Sequence, residues 1–253
     1  MAENWHTRAR DGLVVVLTVT TGGVDATVFL HLGHVFASVI TGTLVLLGVA
    51  AGTHDGALAA HCGVALGSYI IGVLAGTPLA ARRTGRWLEG RLRGRRPQPS
   101  EHHEIWPGWV TVALGLEFCV LAVFCVGWEL VGGRPAGVAE FLLLAAASVG
   151  MGIQSATIRQ LGDISTTYLT GTLTGVFAAL AVGKVPSDLS RSLGIFVAVV
   201  LGAVAAALVT SYLPALLPLV ILIPLALVVW FASARFGPRP GPGRPPRRDS
   251  AAA

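Results

Sequence analysis

Two carboxyl side chains stand in the middle of long apolar runs: Asp25 in VVVLTVTTGGVDATVFL and Glu117 in VTVALGLEFCVLAVF. At the centre of a bilayer an ionised carboxylate costs about 2.5 to 3.5 kcal/mol on insertion scales, so each needs a partner, a proton or a polar cavity. Two such groups at similar depth on different helices could share one proton or hold a cation between them, because like charges in a dry site cannot both ionise cheaply. Other readings are structural. Thr20, Thr21, Gly22 and Gly23 could open the helix and leave Asp25 to cap a second half-helix. Glu117 could stay protonated and bond a neighbouring helix.

A repeat supplies the remaining candidates. Gly23 to Leu44 and Gly152 to Leu173 align without a gap, and seven of the 22 positions are identical, against about two expected by chance in so biased a composition. Both stretches end in Thr-Gly-Thr-Leu, at Thr41, Gly42 and Thr43 and at Thr170, Gly171 and Thr172. Glycine there lets backbones approach while the hydroxyls bond across helices or to a solute; pivoting of packed helices is the plainer use. Opposite Asp25 the second copy has Gln154, which keeps hydrogen-bonding capacity and loses charge.

The elements that must position these residues are membrane helices. Of 253 residues 53% are hydrophobic and 12% charged, with a mean hydropathy of +0.71, and a soluble globule could not hide that apolar surface. Eight apolar segments stand out: 13–31, 35–52, 57–81, 107–131, 136–158, 165–183, 193–213 and 215–234. None alternates apolar and polar as barrel strands do, so helices satisfy the backbone and the fold class is an all-α polytopic integral membrane protein. The first run lacks a cleavage site after a short apolar core, so no removable signal peptide is expected. Cys62, Cys119 and Cys125 all lie inside apolar segments and read as small buried hydrophobes.

Charge selects the topology. Arg8 and Arg10 precede the first segment, seven arginines from Arg82 to Arg96 fill the middle, and five from Arg235 to Arg248 fill a Pro/Gly-rich tail. Eight crossings would separate the first group from the second. If 35–52 and 165–183 are re-entrant, six full crossings remain and 17 of the 18 Lys and Arg face the cytoplasm, leaving Arg134 outside. The copies then run in opposite directions, as inverted repeats of secondary transporters do. A parallel four-plus-four duplication is the alternative. The expected organisation is a cytoplasmic N-terminus 1–12, a first membrane repeat 13–81, an Arg-rich cytoplasmic linker 82–106, a membrane region 107–234 containing the second repeat at 136–213, and a disordered basic tail 235–253.

TTGGVDATVFLHLGHVFASVITGTLVLLG and MGIQSATIRQLGDISTTYLTGTLTG together resemble the YoaK family of bacterial inner-membrane proteins, a domain-of-unknown-function group, over roughly 12–213. The resemblance implies Asp at Asp25, Thr-Gly-Asn at Thr41-Gly42-Thr43, Met-Gly-x-Gln at Met151 to Gln154 and Thr-Gly-Thr-Leu at Thr170 to Leu173. Thr43 departs from that pattern by lacking the amide. The resemblance implies class and inner-membrane location and no substrate.

These residues point to a secondary transporter or permease for an unknown small solute, proton-coupled through Asp25 and Glu117. The rival is a non-transporting membrane scaffold or regulatory partner in which the same residues lock helices together. No catalytic constellation, cofactor motif or metal-ligand spacing stands out; His102 and His103 beside Glu101 and Glu104 read as a solvated boundary. An enzyme is therefore not expected. Arginines flanking spans meet lipid headgroups, so the partners are the bilayer and the solute, with no nucleic acid. The small-xxx-small pairs Gly63/Gly67 and Gly72/Gly76 suit tight packing within the chain or in a homo-oligomer.

Overall fold

The computed structural model describes residues 2–92, 106–159, 169–183 and 189–236, with the backbone alone at 2–7, 78–92, 169–170, 172 and 236. Helices follow in the order α1 Ala2–His31, α2 Ile40–Thr53, α3 Gly56–Leu92, α4 Gly108–Leu130, α5 Val138–Ile158, α6 Leu169–Ala181, α7 Leu189–Tyr212 and, after a 3-10 turn Pro214–Leu216, α8 Leu217–Phe236. Six are long and apolar enough to cross a membrane, within α1, α3, α4, α5, α7 and α8. At 1.5 Å per residue the 14 residues of α2 and the 13 of α6 reach only about 20 Å, short of the ~30 Å hydrocarbon layer.

Each boundary has a local cause. Pro107, extended at φ −65° and ψ 139°, precedes α4, and Gly137 at φ +58° precedes α5. Pro214 opens the turn before α8. Gly22 and Gly23 do not open α1, which is helical throughout from Ala2 to His31. In lipid a broken turn would leave backbone groups unbonded, and these glycines are spent on helix contact instead.

That contact occurs twice in one form. A Cβ on Gly22 would stand 2.1 Å from the carbonyl oxygen of Val199, and one on Gly202 would stand 2.1 Å from that of Val19. On α3 and α5, a Cβ on Gly72 would meet the Val149 oxygen at 2.2 Å, and one on Gly152 the Tyr69 oxygen at 2.3 Å. At each crossing both helices offer a glycine three residues after the carbonyl that the opposing glycine touches. Without side chains there, the two backbones meet directly.

Paired contacts give the helix directions. α1 and α7 are parallel: Arg191 bonds Asp11 at 3.3 Å, Gly194 faces Val15 and Ala206 lies near Gly23. α3 and α5 are parallel too, with His61 on Glu140 and Gly76 against Ala156. α4 and α5 are antiparallel, through Gly127 with Leu143, Leu121 with Gly150 and Glu117 with Gln154. His61 packs under Gly33, so α3 starts on the face where α1 ends. Trp128, near the end of α4, donates to the Pro214 carbonyl at 3.1 Å and meets His31 edge-on, so α8 starts there as well. The starts of α1, α4 and α7 and the ends of α3, α5 and α8 therefore share one face. α1 and α5, which carry the matched stretches, run in opposite directions.

Several sequence boundaries shift. The segment expected at 35–52 is a loop up to Val39 followed by α2, and α3 continues through Arg82, Arg83, Arg86 and Arg91 to Leu92, eleven residues into the expected linker. The rest of that linker before Trp106, with His102 and His103, lies outside the described residues, as do Lys184 and the tail from 237. Gly72 and Gly76 pack inside the chain, whereas a Cβ on Gly63 or Gly67 would meet no atom of another described element within 4 Å.

Candidate functional site

α1 and α5 are the most enclosed spans, and the buried polar residues concentrate on them. Asp25, 8% exposed, accepts the backbone N–H groups of Ala37 and Ser38, both at 2.9 Å, on Oδ1, while the Ser38 hydroxyl donates to Oδ2. Asp25 lies six residues, about 9 Å, before the end of α1, so the chain after His31 dips back into the bundle before α2 starts. The N-cap of α2 is Val39, which has no side-chain acceptor; the carboxylate of α1 serves the unpaired donors beside it. Asp25 caps no half-helix, because α1 is unbroken; its carboxylate holds the loop before α2 instead.

Glu117 is 0% exposed on α4. Its Oε1 accepts the Gln154 amide at 2.9 Å, and Gln154 Oε1 accepts the Thr21 hydroxyl at 2.7 Å, so one polar chain joins α4, α5 and α1. Glu117 Oε2 is buried and has no hydrogen-bond partner among the described residues. Asp25 and Glu117 do not bond each other: the first is held by Ala37 and Ser38, the second by Gln154. Thr21 precedes Asp25 by one helical turn, which puts both networks on one face of α1.

The first Thr-Gly-Thr folds onto its own turn. The Thr43 hydroxyl faces the carbonyls of Phe36 at 3.1 Å and Val39 at 3.3 Å, Gly42 packs on Phe36 and Val39, and Thr41 is exposed. A shorter hydroxyl at the Thr43 position thus closes the loop that Asp25 holds from below. In the second copy Thr170, Gly171 and Thr172 lie in the first turn of α6, with Gly171 exposed. The side chains of Thr170 and Thr172 lie outside the described residues.

Two features were not legible as site residues. Ser38 is an ordinary serine in a loop, and only its distance in sequence from Asp25 hides the pairing. His61 joins α3 to α5 through Glu140 at 2.9 Å, with its other ring nitrogen 2.8 Å from the Ala57 carbonyl and Phe141 stacked on the ring. No spacing rule connects residues 79 apart. Among the described residues no three His, Cys, Asp or Glu side chains gather as a metal site.

Six apolar crossing helices with polar residues turned inward define a multi-pass α-helical membrane protein. The family model for a protein of unknown function (DUF1275) matches residues 13–232, and the chain belongs to that family. It is 30% identical over 167 residues to the UPF0700 transmembrane protein YoaK of Bacillus subtilis (strain 168), covering 65% of this chain and 64% of that relative. Both agree with the YoaK-family resemblance in the residues. No solved structure matches.

Proposed function

We propose that the chain is a proton-coupled secondary transporter or permease for a small solute of the bacterial inner membrane. It is built from two inverted copies joined by the Arg-rich linker, with both termini cytoplasmic. The carrying observation is the unequal use of two buried carboxyls: among the described residues Asp25 has three donors and Glu117 has one, with Oε2 unpartnered. A carboxyl that served only to bind helices together would have its oxygens occupied, as those of Asp25 are, because an unpaired buried polar atom costs about 1 to 3 kcal/mol. The short helix α2, starting within the bundle depth, is the kind of broken element that lines midplane sites. The opposite directions of α1 and α5 support the inverted copies, and the gathering of Arg8, Arg10 and the end of α8 on one face supports the sidedness.

The closed Asp25 site favours the rival reading, a membrane scaffold or regulatory partner without transport. The test is flux in vesicles containing the purified protein and a pH-sensitive dye, challenged with a panel of amino acids, sugars, organic acids and inorganic ions. Solute-driven proton movement that Glu117→Gln abolishes at normal folded yield supports transport. Silence across the panel, with no difference between wild type and Glu117→Gln, supports the scaffold.

A further inference from the structure

We propose that Glu117 alone is the proton-binding site of the membrane part, taking one proton, and that Gln154 relays its occupancy to α1 by reversing the direction of a hydrogen-bond chain. The inference deepens the transport reading, on which its role in coupling rests; the binding itself stands on geometry. With Glu117 ionised, the chain runs from α1 to α4: the Thr21 hydroxyl donates to Gln154 Oε1 at 2.7 Å and Gln154 Nε2 donates to Glu117 Oε1 at 2.9 Å. One N–H of the Gln154 amide is used, and the chain ends on a carboxylate with Oε2 open.

A proton on Glu117 permits the opposite direction with the same atoms. The acid O–H donates to the Gln154 carbonyl-type oxygen once the amide turns over. The amide N–H then donates to Thr21 Oγ1, and the Thr21 hydrogen turns to the Leu17 carbonyl, which already lies 3.4 Å away. Each link of the chain can be made in either direction, so one proton arriving at α4 changes which atoms bond on α1, one turn below Asp25. No covalent bond other than the carboxyl O–H forms or breaks.

A proton fits this site where a metal cation does not. Hard cations take about six oxygen ligands, and here one carboxyl oxygen is open while the neighbouring oxygens of Gln154 and Thr21 are engaged. Asp25 is excluded because all three of its donors come from the loop it holds. The described titratable groups on the elements packed against α4 are His61, Cys62 and Tyr69 on α3, Glu140 on α5 with Arg159 just after its end, and Arg235 on α8. Cys119, Cys125 and Glu129 stand on α4 itself, and Glu117 bonds none of these.

The test is infrared spectroscopy of the full chain in lipid nanodiscs, following the carbonyl stretch of protonated carboxyls through a pH titration without solute. One band is expected to disappear in Glu117→Gln and to persist in Asp25→Asn, or in Ser38→Ala if Asp25→Asn folds poorly. In Gln154→Met, which keeps the volume and removes the amide, the band moves to the position of an unbonded acid. Exchanging sodium for choline leaves it in place. A band that survives Glu117→Gln, vanishes in Asp25→Asn with Ser38→Ala also altered, or responds to sodium overturns the proposal. Because no flux is measured, silent vesicles with the expected bands reject transport and keep the proton site.

Discussion

Asp25 takes both hydrogen bonds that Ser38 can offer, one from its backbone N–H at 2.9 Å and one from its hydroxyl, so a single residue on α1 decides where the chain turns into α2. Charge-assisted bonds in a buried setting are about twice as strong as neutral ones. The loop therefore has a defined depth, which the burial of Leu32, Val35 and Ala37 in the core reinforces.

Ser38→Ala is expected to lower stability by about 1 to 3 kcal/mol, the penalty for leaving a buried acceptor unpaired. Asp25→Ala is expected to cost more, because two backbone N–H groups and a hydroxyl lose their acceptor together. Thermal unfolding in detergent, followed by size-exclusion yield, measures the order; equal stability of wild type and Ser38→Ala would reject the anchoring role.

The glycine crossings give a contrast within one helix. Gly72→Ala places a Cβ about where the Val149 carbonyl oxygen stands, 2.2 Å away, and forces α3 and α5 apart; a loss of about 1 to 3 kcal/mol is expected. Gly63→Ala and Gly67→Ala meet no atom within 4 Å and gain helix propensity, so neutral or slightly raised stability is expected in the monomer. Unfolding of the three variants side by side tests it.

Gly33, at φ +87°, has its would-be Cβ 2.1 Å from the His61 ring. Gly33→Ala is expected to be destabilising for two reasons, the backbone conformation and the ring. Removing the ring with His61→Ala in the double variant relieves the second and leaves the first. Double-mutant-cycle unfolding should give a coupling of about 0.5 to 3 kcal/mol, and strict additivity would place the two residues out of contact.

Single cysteines test the shared face. In a background without Cys62, Cys119 and Cys125, cysteine at Arg10 is expected to react with an impermeant maleimide from the side opposite to cysteine at Arg134 or Asp55. Labelling of all three from one side contradicts the helix directions.

Much of this protein is local information. A membrane-crossing helix needs only a long enough apolar run, and so 53% hydrophobic residues in eight apolar segments determine the class by themselves, while the clustered arginines favour six full spans over eight. The matched stretches and the buried Asp25, Glu117 and Gln154 are visible in the same way, because a polar residue inside an apolar run is conspicuous wherever the chain goes. Their partners are not. Asp25 pairs with a serine 13 residues on, Gln154 reaches α4 and α1 at once, and Gly22 and Gly72 each cross a helix far along the chain. Apolar helices lack a hydrophobic drive to meet in lipid, so close packing and hydrogen bonds choose among neighbours. Those depend on which backbones come within a few ångströms, which only the assembled bundle decides.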